Sequence, residues 1–196
     1  VVQGWTPDGK RILFSSSRTS TGRYTELFTL APEGGLPERL PLPNASEGSY
    51  SSDGKRLAYV PLRRPFSTWK RYRGGMATTV WLADLATSQV EALPGNGAND
   101  FNPLWVGDKL YFLSDREKRG VSQLYQISPE RGEAKALTDW EPGIVSYLPL
   151  PDGKRIAIVA GDPETEAAKR RKEERDDAEV YGEDWPYHRL RVLDLA

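Results

Sequence analysis

Ser122, in Gly120-Val121-Ser122-Gln123-Leu124, is the nearest approach in this sequence to a hydrolytic nucleophile. Serine hydrolases set that residue on a strained turn, often Gly-x-Ser-x-Gly, beside a histidine base and an acid. Here Leu124 stands where the second glycine belongs. The repeat described below puts Ser122 at the start of a strand rather than on a strand-to-helix elbow. The single histidine, His188, sits between Tyr187 and Arg189. A lone histidine so placed reads as a surface or packing residue. Carboxylates and lysines abound, but no spacing singles out an acid–base pair. No catalytic residue is assigned, and the chain by itself is expected not to be an enzyme.

Gly4-Trp5-Thr6-Pro7-Asp8-Gly9-Lys10 spells the Gly-x-x-x-x-Gly-Lys of a phosphate loop. The next residue is Arg11, so the hydroxyl that would hold Mg²⁺ is missing, and no helical pattern follows. Lys10, Lys55 and Lys154 each follow an Asp-Gly pair, so an internal repeat explains the match better. With no cysteine in the chain, thiolate metal sites and disulfides are excluded. Asp176, Asp177, Glu179, Glu183 and Asp184 could gather around Ca²⁺, but they lack the glycine-centred loop of an EF-hand. A solvated acidic loop is the favoured reading. No metal and no cofactor are expected. Asn44-Ala45-Ser46 is a formal glycosylation acceptor, without meaning outside a secretory context.

The elements that must carry these residues follow from the repeat. Trp5-Thr6-Pro7-Asp8-Gly9-Lys10-Arg11-Ile12-Leu13-Phe14 lines up with Tyr50-Ser51-Ser52-Asp53-Gly54-Lys55-Arg56-Leu57-Ala58-Tyr59. Trp105 to Phe112 and Leu150 to Ile158 repeat the pattern. The turn glycines Gly9, Gly54, Gly107 and Gly153 are 45, 53 and 46 residues apart, the period of four-stranded propeller blades. Asp-Gly supplies positive φ for a tight turn. A strand rich in β-branched and aromatic residues follows, then an alternating one such as Val80-Trp81-Leu82-Ala83-Asp84-Leu85, then a short closing strand. The expected fold is all-β: a single β-propeller domain over residues 1–196, of about four four-stranded blades, roughly 1–44, 45–97, 98–142 and 143–196. The last blade is incomplete, because the sequence supplies no outer strand for it.

Two insertions break the period, both between the second and third strands of a blade. Residues 61–79 carry Arg63, Arg64, Lys70, Arg71 and Arg73 and no acid. Their interleaving with Phe66, Trp69 and Tyr72 is a composition seen in nucleic-acid contacts. A long hairpin with aromatics on the blade and cations in water, or against an acidic partner, is the favoured alternative. Residues 162–186 carry ten acids and five bases. Asp162-Pro163-Glu164 predicts a helix N-terminus, and Glu166 with Arg170 supports about three turns ending near Asp177. The two insertions are complementary in charge and are candidates to meet within the molecule.

The repeats resemble those of TolB-like and peptidase-associated propellers. Trp69-Lys70-Arg71-Tyr72-Arg73-Gly74-Gly75, followed by Val80 to Leu85, resembles the N-terminal propeller of tricorn-type proteases. That similarity covers roughly residues 1–140. Residues 145–196, with Pro151-Asp152-Gly153-Lys154-Arg155, Asp162-Pro163-Glu164-Thr165-Glu166 and Tyr181-Gly182-Glu183-Asp184, are similar to the propeller of acylaminoacyl-peptidase-like enzymes of the prolyl oligopeptidase family. The chain therefore looks like a composite, natural or engineered. Both resemblances imply the non-catalytic part of a serine peptidase, which limits access to the active site.

The function expected is a non-catalytic propeller module of peptidase ancestry that gates or binds peptides or protein partners. The alternative is a stand-alone or engineered TolB-like scaffold for protein–protein interaction or self-assembly. The motif residues Trp69, Lys70, Arg71, Tyr72 and Arg73 are the expected interaction surface. Self-association into a larger ring is expected, as a homodimer of eight blades. With 27 basic and 28 acidic residues, no whole-molecule field favours nucleic acid or an anionic membrane, and neither is an expected partner. The longest strongly apolar run, Ile156 to Ala160, is far short of the ~20 residues that span a bilayer. The N-terminus has neither a basic start nor an apolar signal core and reads as that of an excised or processed chain. The lack of a signal core and of cysteine points to the cytoplasm.

Overall fold

The computed structural model describes residues 1–20, 24–62, 77–130, 132–176 and 187–195. It is a β-propeller fold, with fifteen strands in four antiparallel sheets and one short helix among those residues. Contacts divide the chain into two compact units, Val1–Thr138 and Asp139–Ala196.

The first unit holds three blades. Blade one is β1 (Val2–Trp5), β2 (Ile12–Ser16), β3 (Glu26–Leu30) and β4 (Glu38–Arg39), hydrogen-bonded in that order. Blade two is β5 (Glu47–Tyr50), β6 (Arg56–Val60), β7 (Trp81–Asp84) and β8 (Val90–Ala92). Blade three is β9 (Asp100–Val106), β10 (Lys109–Lys118), β11 (Val121–Ile127) and β12 (Lys135–Ala136). Each is a meander, because strands consecutive in the chain are neighbours in the sheet.

Stacking of these sheets makes the core. Side chains alternate along a strand, so a sheet covered on both faces needs apolar residues at consecutive positions. The run Leu57-Ala58-Tyr59-Val60 in β6 meets that demand. Leu57 and Tyr59 pack with Leu13, Leu27, Leu40 and Ala83 between blades one and two. Ala58 and Val60 point the other way, into a cluster with Leu82, Leu110, Phe112 and Tyr125 between blades two and three. Full burial of one such Leu or Val is worth about 1.5–3 kcal/mol, so these two seams dominate the unit's stability. Polar contacts set the stagger. Gln3 Nε2 donates to the Ser46 carbonyl at 3.2 Å, and the Trp105 N–H donates to Ser49 Oγ at 3.1 Å.

The second unit holds β13 (Ile144–Pro149), β14 (Arg155–Gly161) and β15 (His188–Asp194), with α1 (Glu166–Glu173) between the last two. Its sheet has three strands in the order β13-β14-β15. The three strands are those expected from the sequence, and no fourth pairs with β15 among the described residues.

The helix departs from expectation. Thr165, not Asp162, is its N-cap, accepting from the Ala168 N–H at 3.2 Å. Asp162 is engaged otherwise. Its N–H donates to the Tyr187 carbonyl at 3.0 Å, continuing the β14–β15 ladder. Its carboxylate accepts from Arg189 at 2.6 Å and Arg191 at 3.1 Å. The chain therefore stays extended to Thr165, and the helix has about two turns rather than three. Lys169, one turn from Glu166 at 3.0 Å, makes the helix ion pair expected of Arg170.

Candidate functional site

Strand order fixes which loops share an end of a blade. In each meander a glycine turn joins strands one and two, Asp-Gly in blades one and two and Gly107-Asp108 in blade three, and the connection between strands two and three lies at the opposite end. Both insertions occupy that second position, each in its own blade. The candidate contact residues Trp69, Lys70, Arg71, Tyr72 and Arg73 lie outside the described residues, as do Asp177, Glu179, Glu183 and Asp184.

What is described is the root of the basic insertion. Thr78, buried just before β7, donates its N–H to Asn99 Oδ1 at 3.4 Å. Asn99 in turn donates its N–H and its Nδ2 to the buried Asp115 carboxylate, at 2.8 and 3.2 Å. The Gly120 N–H adds a third bond to Asp115 at 3.0 Å, closing the β10–β11 hairpin. Beside this network Asp100 accepts from Arg116 Nη2 at 2.9 Å. The guanidinium lies 5.1 Å from the ring centres of both Phe112 and Tyr125. Burial raises the Asp100 carboxyl above the ordinary carboxylate value, against the pull of Arg116. Burial likewise pushes the Tyr125 phenol up to about 12. The network is a rigid footing for a loop. It offers neither a nucleophile with a base nor an open acid–base pair.

Sequence reasoning passed over these four residues, Asn99, Asp100, Asp115 and Arg116. No local sequence signal marks them, because their burial is set by the packing of the folded blade.

The other candidates are placed as follows. Ser122 is buried as the second residue of β11, directly after a hairpin, with strand on both sides. His188 is exposed and opens β15 in the other unit, paired with Gly161. The turn after Gly4-Trp5 is filled by its own chain. Asp8 accepts from Thr6 Oγ1 at 2.6 Å and from the Lys10 N–H at 3.1 Å, while the Arg11 N–H donates to Thr6 Oγ1 at 3.0 Å. Amides that would cradle a phosphate are thus occupied, a carboxylate stands in their midst, and β2 follows instead of a helix. Blade two repeats the arrangement with Ser51, Asp53, Lys55 and Arg56. The hydrogen bonds from Thr6 and Ser51 hold the Asp8 and Asp53 carboxyls below the ordinary range. Among the described residues no His, Asp and Glu side chains gather as a metal site, and no helix is long and apolar enough to cross a membrane.

Comparison with known proteins places this geometry. The family described as tricorn protease N-terminal beta propeller domain matches residues 1–163, carrying the similarity past residue 140 into the fourth sheet. Tricorn protease homolog 1 of Streptomyces coelicolor is 30% identical over 163 residues, 81% of this chain and 15% of that protein. Putative TolB from Agrobacterium tumefaciens shares the fold at a TM-score of 0.69 and 20% identity, over 98% of this chain and 60% of that one. The tricorn protease structure aligns at a TM-score of 0.62 and 24% identity, over 80% of this chain and 15% of that one. Prolyl endopeptidase structures share it at 0.50 and 19% identity, over 83% of this chain and 25% of theirs. The chain thus spans less than a fifth of the tricorn homologue it matches. From its repeated blades and a family match reaching residue 163, the chain belongs to the tricorn protease N-terminal beta propeller domain family.

Proposed function

We propose that this chain is a non-catalytic propeller module that binds peptides or protein partners through the loops between the second and third strands of its blades, and so controls what reaches a peptidase site. The observation that carries the reading is the placement of both insertions at that position, one of them basic and aromatic, on a chain of peptidase-propeller family. The footing under the basic insertion supports it. Thr78, Asn99 and Asp115 fix the point where the chain re-enters the sheet after that insertion. Five cations without an acid between residues 61 and 79 favour an acidic peptide or an acidic protein surface.

Two measurements test it together. Binding of a fluorescent acidic peptide should be weakened at least about tenfold by Arg71→Ala with Arg73→Ala, which corresponds to ~1.4 kcal/mol. Chromogenic acyl-peptide and dipeptide substrates should show no turnover. Binding indifferent to those substitutions would remove the assigned surface. Turnover abolished by Ser122→Ala or His188→Ala would make the chain an enzyme.

A further inference from the structure

We infer that Asn96-Gly97 is a site of spontaneous modification, at which the Asn96 amide is lost through a cyclic imide and replaced by an aspartyl or isoaspartyl linkage. The reaction needs an asparagine whose side-chain carbon can be reached by the backbone nitrogen of the next residue. Four asparagines stand in the chain, Asn44, Asn96, Asn99 and Asn102. Asn102 precedes Pro103, which has no N–H. The Ala45 N–H that follows Asn44 donates to the Thr25 carbonyl at 2.9 Å, and the Asp100 N–H that follows Asn99 donates to the Thr78 carbonyl at 2.9 Å. Asn99 is buried besides, with its amide held on Asp115. Asn96 alone is followed by glycine. Both residues are exposed, and the Gly97 N–H has no acceptor among the described residues. A Cβ on Gly97 would meet nothing, so the space around the attacking nitrogen is open.

Asn96 Oδ1 accepts from the Ala98 N–H at 3.2 Å, an Asx-type turn that holds the side chain along the backbone of residue 97 and draws electron density from its carbonyl carbon. The Gly97 nitrogen gives its proton to solvent base and bonds to Asn96 Cγ. The Cγ–Nδ2 bond breaks, Nδ2 takes up a proton and leaves as ammonia, and the imide remains. Water, the only co-reactant, then opens the imide at either carbonyl. Cleavage at Cγ gives aspartate, and cleavage at the main-chain carbonyl gives the isoaspartyl form. The Asp-Gly turns share the dipeptide pattern but not the opening. There the Gly9, Gly54 and Gly153 N–H groups donate to the Thr6, Ser51 and Leu150 carbonyls at 2.8, 2.9 and 3.0 Å. Hydrogen bonds hold the Asp8, Asp53 and Asp152 carboxyls below the ordinary range, so they are ionised and poor electrophiles. The change at Asn96 reaches the footing under the basic insertion. Asn96 Nδ2 donates to the Arg116 carbonyl at 3.4 Å, which a carboxylate cannot do. The isoaspartyl form also lengthens the main chain just before the buried Ala98 and Asn99, and Asn99 holds Thr78. An added anion so close to the root of that insertion should weaken its hold on an acidic peptide, a consequence that rests on the function proposed above.

Ageing the purified chain at mildly alkaline pH, with ion exchange and peptide mapping by mass, tests it. An acidic species should accumulate, and mapping should place the exchange of amide for acid at Asn96, in both linkages. Asn96→Gln, whose longer side chain must close a larger ring, should slow that species at least about tenfold. Gly97→Ala, which sets a methyl beside the attacking nitrogen, should slow it too, with thermal melts confirming that both variants are folded. Asn44, Asn99 and Asn102 should keep their amides. Fresh and aged wild type are then compared for binding of a fluorescent acidic peptide, with a loss of about twofold expected on ageing, the size of a single exposed charge contact. Fresh protein that fails to bind tells against the proposed function, while the mapping decides the chemistry by itself. A wild type that remains one charge species overturns the inference. So does an acidic species that Asn96→Gln forms at the wild-type rate, or isoaspartate that arises at an Asp-Gly turn as fast as at Asn96.

Discussion

Arg116 reaches Asp100 at 2.9 Å while its guanidinium covers the rings of Phe112 and Tyr125. One cation thus neutralises a buried carboxylate and caps an aromatic pair. Arg116→Ala leaves that carboxylate buried without its partner, a loss of about 3 kcal/mol at neutral pH by comparison with other broken buried pairs. The loss should depend on pH. Burial already sets the Asp100 carboxyl above its unfolded value of 3.8, and removing Arg116 raises it further. Such a group binds its proton more tightly when folded, so its destabilising effect grows as pH rises through the window between the two values and fades below it. Denaturant titrations of wild type and Arg116→Ala should therefore converge as pH falls from 7 towards 4. A gap independent of pH would mean that packing on Phe112 and Tyr125 is the whole role of Arg116.

The Asp-Gly turns respond to acid in the opposite sense. Asp53 has its carboxyl lowered by the Ser51 hydroxyl and then by the Lys55 N–H. Its stabilising effect is present above 3.8 and is lost as pH falls through the depressed folded value. Asp53→Asn should be less stable than wild type at pH 7, and the two should melt together once both are below that value. A difference that persists in strong acid would count against the hydrogen-bonded turn.

Gly9 and Gly54 adopt φ of 68° and 70°. A β-branched side chain is strained there, so Gly9→Val and Gly54→Val should each lower stability by more than ~1 kcal/mol. At Gly54 a Cβ would meet the Pro7 ring at 3.4 Å, an ordinary contact, so the positive φ is the source of the strain there. ATP should shift the melting temperature of none of the three proteins. An ATP shift lost in Gly9→Val alone would revive the phosphate-loop reading.

Much of this architecture was legible because the period was. Asp-Gly recurs at the same place, and the only residue that takes φ near 65° without strain marks each turn, Gly107 and Gly153 included. That the fourth sheet has three strands among the described residues followed from counting strands. Other features were not visible. Nothing local in the sequence distinguishes Asp100 and Asp115 from exposed carboxylates, yet both are buried. The late helix start could not be seen from Asp162-Pro163-Glu164, since Arg189 and Arg191, which hold Asp162, come 27 and 29 residues later. Helix capping is a local signal, and here a distant strand outbids it.

The double-faced strand β6 has a consequence for how the molecule comes apart. Leu57 and Tyr59 depend on blade one, and Ala58 and Val60 on blade three. No loss of a neighbour can leave blade two intact, so its amides should report the highest opening free energy in the first unit. Hydrogen exchange should be slowest along β6, whose strand partners and stacked neighbours must all yield before its protons are released. It should be fastest in β15, whose residues are exposed or half-buried. Stacked repeats lose order from their ends inward, and a destabilising change in blade one should hasten exchange at Leu57 and Tyr59 before it is felt at Ile127.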